Sequence, residues 1–289
     1  MKDSYLEVGV LGKKGRLWNG LLSFHRAINR WRFWPAGVLP LPANPASRHF
    51  AFDRGTPIDR YFIVRFLERN AEYIRGRVLE VGDRGYTQTY GGERVAQSDV
   101  LHVTSGNPEA TIIGDLATGK GLPRGVYDCL VLTQTLHVIY DVHSAVKNIY
   151  RLLKPGGVAL VTIPGITPIS RFDAERWGDF WRMTPEAVQR LFAEAFSPED
   201  VEIEVFGNVR LSVAYLYGLA VEEIPASALS ERDPDYPLLI CICAKKGTAQ
   251  PGRSGTRISR KRRITPASPG APATRGRTRG RARGPARKG

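Results

Sequence analysis

The sequence predicts an α/β protein with a seven-stranded, mostly parallel sheet, helices on both faces and an N-terminal helical extension. Short runs of β-branched and apolar residues alternate with segments of helical periodicity from about residue 49 to residue 246. This alternation is typical of parallel strands joined by crossover helices. One mostly apolar run, 78–81, has Glu80 as its third residue and is followed by Gly82. In open α/β sheets, that position lies at the edge where ligands bind.

Charge and composition divide the chain into three segments. The net charge is +14, yet 15 of the 42 basic residues lie after residue 244, where no acidic residue occurs. We therefore expect an N-terminal helical extension with a Pro-rich linker (1–48), an α/β domain (49–246) and a disordered basic tail (247–289). The tail lacks the apolar residues that would offset the entropy lost on ordering.

The periodicity sets the order of the elements. Strands are predicted at 78–81, 100–103, 111–113, 127–132, 158–163, 201–206 and 238–244. Helices are predicted from Pro57 to about Ile74, at 142–153, at 186–196 and at 211–219. Thr56 is expected to cap the first helix, with Pro57 as its first residue, and Asp141 and Thr184 to cap the second and third.

The N-terminal segment and the cysteines bear on the cellular setting. Residues 17–35 have the apolar spacing of an amphipathic helix, which we expect to pack on the domain. A lid, a partner-binding helix and a membrane-surface helix are the alternatives. The sequence contains no run of about 18 apolar residues, so no transmembrane span is predicted. The N-terminus also lacks the apolar core of a signal peptide. Cys129, Cys241 and Cys243 are expected to be buried free thiols in a cytoplasmic protein, without a metal site.

Polar residues at strand ends are the candidates for ligand binding. A carboxylate such as Glu80 accepts hydrogen bonds from ribose hydroxyls or an amine, and Gly82 permits close approach of the backbone. The spacing Gly82-x-x-Gly85 lacks the glycine pattern that seats a pyrophosphate on a helix. This argues against a nicotinamide-dependent dehydrogenase.

In this order of motifs, the chain resembles the class I S-adenosylmethionine-dependent methyltransferases, whose fold is Rossmann-like. The matching stretches are 79–82, 114–116, 127–137 and, as the most specific, the Leu-Leu-Lys-Pro-Gly-Gly sequence at 152–157. The resemblance spans about residues 57–245. In detail, 53–61 and 177–182 are similar to small-molecule methyltransferases associated with glycosyltransferases in polysaccharide pathways.

The resemblance implies S-adenosylmethionine as cofactor and assigns residues to it. Glu80 would accept from the ribose or the methionine amine, Asp115 from adenine N6, and Leu116 would pack on the ring. The whole predicted cofactor set is Glu80, Gly82, Asp83, Gly85, His102, Thr104, Asp115, Leu116 and Gln134. Two departures bear on affinity: Arg84 replaces a usual glycine, and no acid follows the second strand, where His102 or Thr104 would bond the ribose instead. Donor binding is thus expected to be weaker than usual or lost.

Residue chemistry and the same resemblance indicate which residues would bind the methyl acceptor. His137 lies where a general base would sit; the alternative is a supporting residue that is hydrogen-bonded to the backbone. Aromatic and charged residues suit a sugar or small-molecule pocket, although loop packing and helix capping explain them equally well. The predicted acceptor set is Asp59, Tyr61, Trp177, Asp179, Trp181 and Arg182.

Together these features predict methyl transfer from S-adenosylmethionine to a small-molecule or glycan-linked acceptor, at an oxygen atom. One rival is a catalytically inactive methyltransferase fold that serves as an adaptor, which the altered glycine motif favours. Another is a nucleic-acid methyltransferase recruited by the basic tail, which would bind polyanions without sequence preference. The Arg-Gly repeats at 275–281 lack the interleaved aromatic residues that stack on bases. The sequence leaves the oligomeric state open.

Overall fold

The computed structural model describes residues 43–248 together with Phe24. The predicted helix at 17–35, apart from Phe24, lies outside the described residues, as does the Pro-rich linker up to residue 42. Phe24 itself is helical and exposed. The tail from residue 249 onward also lies outside them. The three proposed segment boundaries therefore stay predictions.

Seven strands form one sheet in the order β3-β2-β1-β4-β5-β7-β6. Their bounds are Gly76–Val81 (β1), Val95–His102 (β2), Ile112–Ile113 (β3), Tyr127–Thr133 (β4), Leu153–Pro164 (β5), Val201–Phe206 (β6) and Leu239–Lys245 (β7). β7 runs antiparallel to both of its neighbours, and the pairings among β1 to β5 are parallel. The predicted fold class is confirmed. The strand order reverses between β1 and β4, and the carboxyl ends there form the expected ligand-binding edge.

Helices cover both faces of the sheet. Their bounds are Ile58–Arg69 (α1), Val142–Leu152 (α2), Arg171–Ala174 (α3), Pro185–Phe192 (α4), Val209–Tyr217 (α5) and Ala226–Ser230 (α6). The buried side chains of α2 and α4 belong to one apolar core, whereas those of α1, α5 and α6 belong to the core on the opposite face. The burial of two apolar layers against one sheet is what fixes this architecture.

The start of α1 corrects a prediction. Pro57 is the N-cap residue, Ile58 is the first helical residue, and no side chain caps the helix. Thr56 is not available as a cap because its N–H and its hydroxyl both donate to the carboxylate of Glu222, at 3.0 and 2.7 Å. The helix also ends early, at Arg69, and a separate 3-10 turn at Ala71–Tyr73 follows it.

The other two predicted caps are confirmed. The carboxylate of Asp141 accepts the Ser144 N–H at 3.0 Å at the start of α2. The Thr184 hydroxyl accepts the Ala187 N–H at 3.3 Å at the start of α4. Each side chain satisfies one of the amides that a helix leaves unpaired at its N-terminus.

The segment Lys-Pro-Gly-Gly at 154–157 lies inside a strand rather than in a turn after a helix. α2 ends at Leu152 and β5 begins at the next residue. Gly156 has a φ of +79° and its N–H donates to the Lys246 carbonyl at 2.7 Å, so the bend is built into the strand. Lys154 donates to the Asp128 carboxylate at 2.8 Å and ties the bend to β4.

The connections that follow β1, β2 and β3 contain no α-helix among the described residues. β1 leads to β2 through a π-helical turn at Thr87–Gly91 and a 3-10 turn at Gly92–Arg94. Within the described part of the chain, the segments 103–111 and 114–126 contain no helix. The edge of the sheet is therefore lightly covered there, and Val103 and Ile113 are exposed. The three cysteines are buried without disulfides.

Among the residues described, no helix is both long enough and apolar enough to span a bilayer.

Candidate functional site

A cavity of about 680 Å³ opens at the carboxyl ends of the central strands. Seven of the residues predicted from the sequence line it: Gly82, Asp83, His102, Asp115, Leu116, Gln134 and Trp177. Sequence reasoning missed a further set of lining residues, which are mostly apolar: Val81, Leu101, Val103, Asn107, Gly114, Ala117, Thr133, Thr135, Val138, Ile139, Tyr140, Asp173 and Phe180. Six of these thirteen lie within two residues of the ends of β1 to β4, and the other seven lie in the connections that follow the strands, whose course the sequence does not show.

Glu80 lies at the end of β1, behind the cavity wall. Its carboxylate accepts the backbone N–H groups of Tyr86 at 3.2 Å and of Thr87 at 2.7 Å. Burial raises the pKa of Glu80, although these amide hydrogen bonds favour its charged form. Glu80 therefore stabilises the turn after β1, and its direct contact with a cofactor stays a prediction.

The turn after β1 brings backbone to the cavity. Gly82 has a φ of +88°, and a Cβ added to it would meet open space, so only the strained backbone favours glycine here. Asp83 accepts the Gly85 N–H at 2.8 Å, which stabilises the turn. Asn107 donates to the Gly82 carbonyl at 2.5 Å. Gly85 is therefore a turn residue and does not itself line the cavity.

Arg84, at a position where the sequence resemblance implies a glycine, does not line the cavity. Its guanidinium donates to the Glu109 carbonyl at 3.2 Å and lies 3.8 Å from the Glu109 carboxylate. The side chain thus joins the turn after β1 to the connection after β2. An arginine at this position therefore does not fill the cavity.

His102 and Asp115 form the wall at the ends of β2 and β3. The Nδ1 of His102 lies 2.8 Å from the Thr104 carbonyl oxygen, so Thr104 holds the imidazole ring and does not line the cavity. Asp115 accepts the Ala117 N–H at 2.7 Å and the Thr118 hydroxyl at 2.8 Å. Its carboxylate therefore stabilises its own turn as well as facing the cavity.

Gln134 ends β4 in a left-handed conformation, with a φ of +46°. Its N–H donates to the Thr162 carbonyl at 3.1 Å, and its side-chain Nε2 donates to the Asp59 carboxylate at 3.3 Å. The Oε1 atom is buried and has no partner among the described residues. A non-glycine residue held in this region of backbone space is often functional.

Two predicted acceptor residues, Asp59 and Tyr61, lie on α1. Asp59 is buried, contacts Gln134 and accepts the Arg60 N–H at 2.8 Å. Tyr61 packs edge-on against Phe62, and the Arg65 guanidinium lies 4.4 Å from its ring. Neither lines the cavity. Asp59 fastens α1 to the end of β4.

His137, the predicted base, lies in a short 3-10 turn at Leu136–Val138 and is buried behind the cavity wall. Its Nδ1 has no hydrogen-bond partner among the described residues. Burial lowers the pKa of His137, so the ring is neutral near pH 7. Its neighbour Val138 lines the cavity, whereas His137 itself does not. Its role as a base stays a prediction.

The connection at 165–184, which we call the strap, crosses the mouth of the cavity. It leaves β5, yet Trp177 on it meets the ring of His102 at the end of β2, 6.2 Å away. Three strand spacings separate β5 from β2, or roughly 14 Å. The strap therefore lies over the ends of β4 and β1.

Three predicted acceptor residues hold the base of the strap in place. Asp179 accepts the Ser170 N–H at 2.9 Å and forms an ion pair with Arg182. Arg182 also donates to the Pro168 carbonyl at 2.7 Å. The indole N–H of Trp181 donates to the Ile139 carbonyl at 3.0 Å. Asp179, Trp181 and Arg182 do not line the cavity, unlike Trp177, because they are used in loop packing.

Comparison with known proteins finds a family similarity over part of the chain. Residues 88–200 match the profile of a methyltransferase domain family. No curated protein sequence matches the chain. The match includes β2 to β5 and the strap, which together provide much of the cavity wall.

Several solved structures are similar to this chain. One is a SAM-dependent methyltransferase from Archaeoglobus fulgidus, with 16% identity and a TM-score of 0.43, covering 64% of this chain and 93% of that one. Another is the N-methyltransferase NodS from Bradyrhizobium japonicum in complex with S-adenosylhomocysteine, with 15% identity and a TM-score of 0.41, covering 66% and 89%. A third is phosphoethanolamine N-methyltransferase 2 from Haemonchus contortus in complex with S-adenosylmethionine, with 14% identity and a TM-score of 0.44, covering 65% and 53%. Those activities belong to the named proteins.

Proposed function

We propose that this protein is a methyltransferase that uses S-adenosylmethionine and acts on a small-molecule or glycan-linked acceptor. The charge of the cavity carries the proposal. Asp83, Asp115 and Asp173 line it, and no Lys or Arg is found among the described lining residues. S-adenosylmethionine has a sulfonium and an ammonium against one carboxylate, so its net positive charge suits this lining. A dinucleotide would instead bring phosphates to a wall that has no cation to pair with them.

The shape and chemistry of the cavity also suit this cofactor. Its volume lies within the usual range of small-molecule sites. Leu101, Val103 and Leu116 provide apolar surface beside Asp115, as a flat base with an exocyclic amine requires. Gly82 leaves open space beside the backbone, so a ligand can approach the main chain there. We propose that Asp115 and Leu116 hold the adenine and that the turn after β1 faces the rest of the donor.

When bound, S-adenosylmethionine supplies a methyl group on a sulfonium for in-line displacement by the acceptor. The chain itself has to hold the two reactants in line and exclude water, and positioning accounts for much of the rate. The strap lies over the cavity and would shield it. We keep His137 as the proposed base because its buried ring is neutral and adjoins a lining residue.

Calorimetric titration of the full chain with S-adenosylhomocysteine and with S-adenosylmethionine tests this proposal. We expect one binding site for each compound, at micromolar affinity or weaker, because the family's second-strand acid is missing. NADH and NADPH serve as controls and should show no heat of binding. Absence of binding by both methyl-donor compounds would overturn the proposal.

The second candidate is an inactive methyltransferase fold that acts as an adaptor. It is favoured by one observation: both oxygens of Glu80 and both of Asp115 already accept hydrogen bonds from the chain itself. The same titration separates the candidates when it is followed by an assay of S-adenosylmethionine turnover with acceptor libraries. The link to glycosyltransferases, the oxygen acceptor and the cytoplasmic location predicted from the sequence remain part of the proposal.

A further inference from the structure

Aromatic side chains are exposed around the mouth of the cavity. Tyr140 is 71% exposed, Phe180 47% and Trp177 40%, and all three line the cavity. Tyr140 contacts Phe180 edge-on at 5.4 Å between ring centroids. Phe172, at the tip of the strap, lies 5.8 Å from Trp177 and is exposed as well. Clustered exposed apolar rings beside a cavity indicate a ligand surface rather than ordinary packing.

One carboxylate among these rings has no partner in the described part of the chain. Asp173 lines the cavity, and no hydrogen bond or ion pair involves its carboxylate. By position it is the acid of a capping box, because the Ser170 hydroxyl accepts its N–H at 3.2 Å. Such an acid normally accepts the N–H of the capping residue. Here Asp179 accepts that N–H, at 2.9 Å, which leaves the Asp173 carboxylate free.

The other two lining carboxylates are committed to their own turns. Asp83 accepts the Gly85 N–H, and Asp115 accepts the Ala117 N–H and the Thr118 hydroxyl. The strap cation Arg176 stacks on Phe172 with its guanidinium 3.7 Å from the ring centroid. Arg176 does not line the cavity. Among the described residues that line the cavity, the unpaired charge is therefore the negative charge of Asp173.

We propose that the mouth of the cavity binds a protonated amine on the acceptor, with Asp173 as its counter-ion and the rings of Tyr140, Trp177 and Phe180 around it. Aromatic rings attract cations through their negatively charged faces, and a nearby carboxylate adds to this attraction. The inference rests on the proposed methyltransferase function. It narrows the acceptor to amine-bearing compounds, including amino sugars, and disfavours phosphorylated or carboxylated ones.

The bound amine is a recognition group and not the atom that receives the methyl group. An ammonium ion paired with a carboxylate keeps its proton and has no lone pair with which to attack a methyl carbon. The attacking atom must lie elsewhere on the acceptor, closer to the strand ends. This agrees with the oxygen acceptor predicted in the sequence analysis.

The test compares two probes of equal shape, choline and 3,3-dimethyl-1-butanol. In the second compound a carbon replaces the quaternary nitrogen, so the pair differs in charge alone. Each gives a single strong methyl signal, and its broadening by the full-length protein measures binding by NMR. We expect the wild-type protein to bind choline roughly 10-fold more tightly than the neutral analogue.

Three variants assign the preference to its residues. Asp173→Asn should reduce the preference for choline to roughly twofold, since the amide keeps the shape without the charge. Trp177→Leu should weaken choline binding by roughly threefold or more. Asp200→Asn is the matched control, because Asp200 precedes β6 at the opposite edge of the sheet, and it should change nothing.

Three results would overturn the inference: equal affinity of the wild-type protein for the two probes, no binding of choline, or an unchanged preference in Asp173→Asn. Binding of S-adenosylhomocysteine, measured separately by calorimetry, keeps the two proposals apart. If that compound binds and the choline preference is missing, the amine site alone is wrong. If that compound does not bind, the methyltransferase proposal fails, whatever choline does.

Discussion

The carboxylate of Glu80 accepts the backbone N–H of Thr87 at 2.7 Å, across seven residues. The end of β1 is thereby fixed to the helical turn that follows it, with Gly82 and Asp83 held between them at the cavity wall. One buried carboxylate thus holds the geometry of this turn.

Replacement of Glu80 by alanine should affect stability as well as binding. Two buried amides would lose their acceptor, which costs about 1–3 kcal/mol in the free energy of unfolding. The affinity for S-adenosylhomocysteine should fall roughly 10-fold or more, because the turn loses its anchor. Urea denaturation and calorimetry measure the two effects. A variant with unchanged stability and affinity would refute the role of Glu80 as an anchor.

Asp115 should contribute directly to donor binding. We expect Asp115→Ala to weaken the affinity for S-adenosylhomocysteine roughly 10-fold, as for the loss of a charge-assisted hydrogen bond. Thr118→Val is the matched control, because it removes only the hydroxyl that donates to Asp115 within the turn. Comparable losses in both variants would mean that Asp115 acts through the turn and not on the ligand.

The strap should loosen in acid. Burial alone would raise the pKa of Asp179, but the hydrogen bonds from Arg182 and from the Ser170 N–H hold it below its ordinary value of 3.8. Because the folded-state pKa is depressed, the stabilisation is complete above pH 3.8 and is lost as the pH falls below that value. Hydrogen exchange of 165–184 should therefore rise below pH 3.8 relative to the rest of the sheet. Asp179→Asn should show fast exchange of the strap already at pH 7 and no further acid step. A pH-independent strap in the wild-type protein would contradict this account.

His137→Ala should separate catalysis from binding. If His137 is the base, turnover falls while the affinity for S-adenosylhomocysteine stays nearly unchanged. Burial keeps the pKa of His137 below 6.5, so wild-type turnover should be flat from pH 7 upward and fall only on the acid side. An equal loss of donor affinity in the variant would show instead that His137 supports the packing of the strap. The N–H of Phe180, on the strap, donates to the His137 carbonyl at 2.9 Å.

The basic tail should bind polyanions without regard to sequence. Residues 249–289 contain 13 Lys and Arg and no acidic residue. A truncation has to follow Thr248, because Lys245 belongs to β7 and Lys246 donates its N–H to the Gly157 carbonyl at 2.8 Å. We expect this truncation to leave the melting temperature and donor affinity unchanged and to abolish heparin binding at low salt. Loss of methyl transfer to a small acceptor, with the fold intact, would show that the tail belongs to the site.

The sequence predicted the sheet well because strands buried on both faces are nearly continuous apolar runs. The half-exposed edge strand β6 also matched its predicted bounds, 201–206. β2 and β5 each begin five residues before their predicted starts, and the other strands lie within two residues of their predicted bounds. The start of α1 was missed because the partner of Thr56, Glu222, is 166 residues away. Local sequence propensity gives no information about a hydrogen-bond partner that is so far away in the chain.

The candidate site was harder to predict than the fold. Residues at strand ends, such as Asp115 and Gln134, do line the cavity, because topology alone brings strand ends together, and their role in binding stays a prediction. In the strap, residue type did not separate Trp177, which lines the cavity, from Trp181, which packs under it. Both are tryptophans in one loop, and only their hydrogen-bond partners distinguish them.

The position of β7 between β5 and β6 has a consequence for synthesis of the protein on the ribosome. Among the described strands, β6 pairs with β7 alone, and β7 is the last of the seven in the chain. From Phe206 to Lys245, translation takes roughly 2–8 s at ordinary rates. Throughout that interval the nascent chain exposes two unpaired strand edges, on β5 and on β6, which are templates for pairing with other chains. The completion of this sheet therefore depends on the final residues of the domain, and a ribosome that stalls before Leu239 would leave an aggregation-prone product.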